Sequence, residues 1–133
     1  MRKYIITPAL LAIVCMVMCH CTFNRKASVA ANEYLIQGEL ANLPDSIVIG
    51  LYEEDGNILN CVLRDTLMNG QFSFRDTVST TRKMLIMSDN RGFPGTWLEV
   101  WIAPGEYIEI KGQDKLVKTW EVVSDVPEQQ EEN

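Results

Sequence analysis

Apolar and polar residues alternate with period two along most of this chain. Tyr34, Ile36, Gly38 and Leu40 alternate with Leu35, Gln37 and Glu39, the mark of a strand with one face in a core. Ile47, Ile49 and Leu51 share one face, with Val48 and Tyr52 on the other. A third extended stretch runs from residue 58 to residue 68, in which Cys61, Leu63, Asp65 and Leu67 alternate with Val62, Arg64 and Thr66. Phe72 and Phe74 fall on one face of a fourth stretch. Met84-Leu85-Ile86-Met87, the segment from Trp97 to Ile102, the segment from Tyr107 to Ile110, and the segment from Thr119 to Val123 complete the set.

Turn chemistry separates these runs. Leu43-Pro44-Asp45-Ser46 breaks the first from the second. Glu54-Asp55-Gly56-Asn57 predicts a turn with Asp-Gly at its centre. Asn69-Gly70, between two alternating runs, is the clearest hairpin signal. A loop follows at residues 89–95, then Ala103-Pro104-Gly105-Glu106 and Lys111-Gly112-Gln113-Asp114. Short strands with turn signals every ~8–12 residues predict an all-β fold, a small β-sandwich of about seven to eight antiparallel strands.

The first 21 residues have a different pattern. Arg2 and Lys3 precede an apolar run over residues 5–18, and Cys19, His20 and Cys21 follow. The run suits the hydrophobic region of a signal peptide and is short for a span, which needs about 20 apolar residues. The leading expectation is a lipoprotein-type signal peptide over residues 1–21, with Cys21 lipidated. The residues before Cys21 are larger than such a site prefers. Ordinary cleavage near Ala30 and an uncleaved anchor therefore stand as alternatives. On the leading expectation the domain plan is a linker at 22–32, the β-sandwich at 33–124, and a polar tail at 125–133, either the start of a truncated helix or disordered. The protein is then exported to the periplasm or the outer-membrane-associated envelope and held at the membrane by its lipid.

Composition narrows the chemistry. After the signal, 10 basic residues stand against 18 acidic ones, a net charge of −8 with no basic patch, which disfavours nucleic acid as a partner. Cys61 is the lone cysteine of the mature domain, so no disulfide framework is expected, and it reads as a small buried hydrophobe. The only histidine, His20, lies in the signal, so neither a zinc site nor a Ser-His pair is expected. Glu53, Glu54, Asp55 and Asn57 lack calcium-loop spacing and read as a solvated turn. Glu99 and Glu109 fall on adjacent predicted strands, opposite Leu98, Val100, Ile108 and Ile110, and read as the wet face. No catalytic residue, metal ligand or cofactor is expected. The candidate binding face is Trp97 and Trp101, which alternation puts opposite Leu98, Val100 and Ile102; cover by a loop or the tail is the plainer alternative.

Four segments taken together suggest a family. They are Tyr34-Leu35-Ile36-Gln37-Gly38-Glu39-Leu40, Asn69-Gly70-Gln71-Phe72-Ser73-Phe74, Ala103-Pro104-Gly105-Glu106-Tyr107-Ile108-Glu109-Ile110 and Pro127-Glu128-Gln129-Gln130. From Glu33 onward the chain resembles a domain of unknown function found near the N-terminus of exported bacterial thioredoxin-like thiol-disulfide oxidoreductases. There the β domain precedes a helical segment and a thioredoxin module with Cys-x-x-Cys. This sequence reaches Asn133 where that segment would begin, so no redox residue carries over. The resemblance implies a non-enzymatic accessory role in the envelope, with a thioredoxin-like partner or a C-terminal module beyond Asn133. A surface lipoprotein that binds a glycan-like ligand, or one that joins an envelope assembly by strand addition, is the alternative expectation.

Overall fold

The computed structural model describes residues 28–132. The signal segment, Cys21 and most of the linker lie outside the described residues. Eight strands form: β1 (Glu33–Leu40), β2 (Ile47–Asp55), β3 (Ile58–Leu67), β4 (Gln71–Thr77), β5 (Arg82–Met87), β6 (Leu98–Ile102), β7 (Tyr107–Gly112) and β8 (Glu121–Val123). A short 3-10 turn at Val117–Thr119 precedes β8, and a short helix α1 (Pro127–Glu132) follows it. The first sheet has the order β4-β1-β7-β8 and the second β3-β2-β5-β6, each with four strands. The chain is a small all-β sandwich.

The core lies between the two sheets and is built by alternation. The first sheet sends in Tyr34, Ile36, Phe72, Phe74, Ile108, Ile110 and Val122; the second sends in Ile47, Ile49, Leu51, Leu67, Met84, Ile86, Val100 and Ile102. Each such side chain contributes roughly 1.5–3 kcal/mol on burial, which is how a domain without a disulfide among its described residues holds together. Gly38 belongs to the inward series of β1, and a Cβ there would fall 1.9 Å from the Phe72 ring, so its missing side chain is the space that ring fills.

Three features of the pairing depart from the sequence pattern. All pairs are antiparallel except β1–β7, which is parallel, because β1 runs between β4 and a strand that arrives from the far end of the chain. Alternation records which face is apolar and carries no strand direction. The Asn69-Gly70 turn forms, with φ of 52° and 76°, but its flanks pair only at Met68 and Gln71 before β3 and β4 part into different sheets. Gly70 closes this corner on the backbone: its carbonyl accepts the Leu40 N–H at 2.7 Å, and a Cβ would meet the Leu40 oxygen at 2.6 Å. The β2–β3 turn sits one residue later than Asp55-Gly56, with Gly56 (φ 60°) and Asn57 between the paired Asp55 and Ile58.

Side chains tie the open sides of the sandwich. The Asp65 carboxylate accepts the Thr66 N–H at 2.9 Å and, across the gap, the Ser73 N–H of β4 at 2.8 Å. At the opposite side α1 lies against β6, with Val126 and Gln129 buried. The segment expected as a polar tail thus packs onto the sandwich in its first half.

Candidate functional site

The outer face of the second sheet carries an apolar strip set among charged residues. Register puts Val48, Gly50 and Tyr52 outward on β2, level with Met87 and Leu85 on β5, and Leu85 opposite Glu99 on β6. A bulge between Leu51 and Tyr52 adds one residue to β3, so Tyr52 pairs with Cys61 while Leu51 pairs with Leu63. That one-residue slip reverses the face of every β3 side chain on the hairpin side of it. Cys61 therefore leaves the series of Leu63 and Leu67 and joins Tyr52 outside, half-buried, its thiol donating to the Leu63 carbonyl at 3.4 Å. It is not a core residue. Burial raises the pKa of the Tyr52 phenol, with the neighbouring Cys61 and Asp89 adding to the shift. Tyr52 in turn covers Gly50, where a Cβ would lie 2.4 Å from its ring.

Trp97 stands at the edge of this face and is 53% exposed. The loop before it is pinned at three points. Phe93 is buried edge-on against Trp120, with ring centroids 5.7 Å apart at 79°. The Asn90 side-chain oxygen accepts the Val48 N–H at 3.1 Å. The Ser88 hydroxyl donates to the Val48 carbonyl. A large apolar side chain held in water on an anchored loop is a contact residue in waiting.

Two hollows flank Trp97. One, of about 390 Å³, is lined by Glu54, Asn57, Leu59, Leu85, Trp97 and Glu99. The other, of about 910 Å³, opens between the start of β6 and the β8 side, where Trp97 and Glu99 face Lys118, Trp120, Glu121 and Gln129. Trp120 is structural: it is buried, and its Nε1–H donates to the Asp114 carbonyl at 2.8 Å.

The two tryptophans expected to share a face are placed differently. Leu98, Val100 and Ile102 do point inward, so Trp97 and Trp101 belong to the outer side of β6. Trp101 is half-buried where α1 reaches β6: the Gln129 side-chain oxygen accepts its backbone N–H at 2.8 Å. Its Nε1 is buried and has no hydrogen-bond partner among the described residues. Trp97 is left open. Glu99 and Glu109 do not lie on adjacent strands, because β6 and β7 belong to different sheets. Each sits by a lysine, Glu99 by Lys83 at 3.6 Å and Glu109 by Lys111 at 3.2 Å. The pairing with Glu109 raises the pKa of Lys111.

Leu59, Leu85 and Tyr52 complete the apolar face and were not marked by sequence. Met84 to Met87 is apolar throughout, which hides the outward Leu85, and the bulge hides the outward Leu59. Among the described residues no group of three or more His, Cys, Asp or Glu side chains is arranged to hold a metal ion. No helix among them is long and apolar enough to cross a membrane. Compared with known proteins, the chain matches no family model, no curated protein and no solved structure.

Proposed function

We propose that this protein is a non-catalytic accessory domain of the bacterial cell envelope, tethered by lipid at Cys21, that docks a partner on the outer face of its second sheet. The observation that carries the docking role is Trp97, more than half exposed on a pinned loop beside Leu59 and Leu85. Isolated exposed apolar residues are ordinary, but exposed Trp97 and Leu59 lining one hollow are what a partner surface uses. The export pattern of residues 1–21 and the resemblance to the β domain of thioredoxin-like oxidoreductases supply the compartment and the class of partner, a protein or module carrying a thioredoxin fold.

The test is co-purification from detergent-solubilised membranes of wild-type protein and Trp97→Ala. Recovery of a Cys-x-x-Cys thioredoxin-like protein with the wild type and its loss with Trp97→Ala supports the reading; equal recovery with both, or none with either, defeats it. Metabolic labelling with radioactive palmitate, abolished in Cys21→Ala, tests the tether separately.

A glycan-like ligand is the second reading. Trp97 offers an aromatic plate bordered by Asn57, Glu54 and Glu99 in the smaller hollow, the donor and acceptor groups that a sugar face requires. A saturable change in Trp97 fluorescence with oligosaccharides, absent in Trp97→Ala, would favour it over protein docking.

A further inference from the structure

We infer that the smaller hollow beside Trp97 receives the arginine side chain of a partner protein. The inference rests on the docking role proposed for this face and names the chemistry of its central contact. Strand register builds the hollow. On the β2–β3 pair Glu54 stands opposite Leu59, and on the β5–β6 pair Leu85 stands opposite Glu99. Tyr52 opposite Leu85 joins the two pairs into one surface. Trp97, from the loop before β6, and Asn57, from the hairpin tip, complete a volume of about 390 Å³. Two leucines, one indole and two carboxylates thus surround one space, with the carboxylates on the two strands that flank β5.

Three properties of this space select a guanidinium. The first is charge. Glu54 has no ion pair among the described residues. Lys83 reaches Glu99 through Oε2 alone, at 3.6 Å, and a carboxylate has a second oxygen to offer. Arg82 is held by Glu53 at 3.0 Å, and Arg64 lies farther off, level with Gly50. Around the hollow Glu53, Glu54, Asp55 and Glu99 therefore stand against Arg82 and Lys83, and the balance is acidic. The second property is the exposed indole of Trp97, whose ring face attracts a cation. The third is the leucine pair, which suits the apolar stem of a long cationic side chain. A planar guanidinium can stack on the indole while its N–H groups reach both carboxylates, whereas an ammonium is a compact and more strongly hydrated point charge. A metal ion would need more ligands than the two carboxylates, and no such group of side chains exists among the described residues.

The probe is acetyl-leucyl-arginyl-leucine amide, titrated into the purified full chain in detergent. The readout is the indole N–H resonance that Trp97→Ala deletes. The control is the same peptide with citrulline, the neutral isostere of arginine. The arginine peptide should shift the resonance saturably. Citrulline in place of arginine, and separately Glu54→Gln with Glu99→Gln, should each weaken binding by about tenfold, the combined worth of a cation–π contact and two exposed ion pairs. Added salt should weaken the arginine peptide and leave the citrulline peptide unchanged. The thermal melt of the double variant should match the wild type, since both carboxylates lie at the surface. No saturable shift, equal affinity for the two peptides, or full affinity in the double variant would each overturn the assignment. Co-purification from membranes judges the docking role separately. A partner lost with Trp97→Ala but kept with the double variant leaves docking at Trp97 standing and removes the arginine. Recovery undiminished by Trp97→Ala removes the docking role, and the inference with it.

Discussion

Outward from the first sheet point Gln37, Glu39, Ser73, Arg75, Glu109 and Lys111 around the buried Leu35, whereas outward from the second Val48, Tyr52, Leu59, Leu85 and Met87 make an apolar strip bordered by Thr66, Arg64, Lys83 and Glu99, with Trp97 at the rim. The inner faces are interchangeable in character, Ile, Leu, Val, Phe and Met on both sides. The first sheet, mixed through its parallel β1–β7 pair, keeps one wet side, as antiparallel sheets in sandwiches do. The second sheet gives more of its outer positions to apolar groups, of which Val48 and Leu59 are exposed. Exposed apolar groups gathered on one face point to an occupant, and Trp97 with Leu59 is where the second sheet gathers them.

That contrast depends first on the corner that sends β3 and β4 into separate sheets. Gly70→Val should destabilise the domain most, by about 2–3 kcal/mol, because φ is positive and the Leu40 carbonyl occupies the Cβ position. Urea unfolding reads it, and a change under 0.5 kcal/mol would mean that the corner is not strained by a side chain. Next comes the clamp between the open edges. Asp65→Ala frees the Thr66 and Ser73 N–H groups and should cost about 1–2 kcal/mol, visible also as faster amide exchange at Ser73. Gln129→Ala should cost about 1 kcal/mol and expose the Trp101 edge of β6, lowering amide protection at Trp101.

A titration compares the inside of the first sheet with its outside. Burial first, and the Asp76 charge second, push the Tyr34 phenol up to about 12 from its ordinary value of 10.0. The folded state holds this proton more tightly than the unfolded chain does. Its contribution to stability is complete below pH 10.0 and is lost as pH rises from there towards about 12. Tyr34→Phe should flatten that part of the alkaline denaturation profile, whereas Ser73→Ala on the outer face, an exposed side chain with no charge to titrate, should leave it unchanged.

The smallest effects on stability should come from the outer faces themselves. Trp97→Ala and Tyr107→Phe should each change unfolding free energy by less than about 0.5 kcal/mol. Only Trp97→Ala should weaken partner binding, measured by fluorescence or co-purification. Equal binding by both variants would erase the functional difference between the sheets.

The strands, most turns and the core were legible because each rests on local pattern. Alternation marks a half-buried strand wherever the partner strand lies, and Asn69-Gly70 suits a tight turn whatever follows. The candidate site was legible only at Trp97. The rest of its face fell to contacts between segments distant in sequence. The bulge opposite Tyr52 turned Cys61 and Leu59 outward, against the period-two reading, and the apolar β5 gave no face at all until β2 and β6 flanked it. The split of Trp97 from Trp101 likewise required α1 to fold back on β6: the sequence offered cover of both tryptophans by the tail, and the tail reaches Trp101 alone of the two.

By itself the sequence determined the all-β class, most of the turns and most of the core, since these follow from side-chain polarity repeated at short range. Tertiary structure alone decided strand order, the parallel β1–β7 pair, the separation of Glu99 from Glu109 and the difference between the two outer faces. These depend on which backbone edges meet, and hydrogen bonds between edges are the same for every residue, so polarity along the chain carries no record of them.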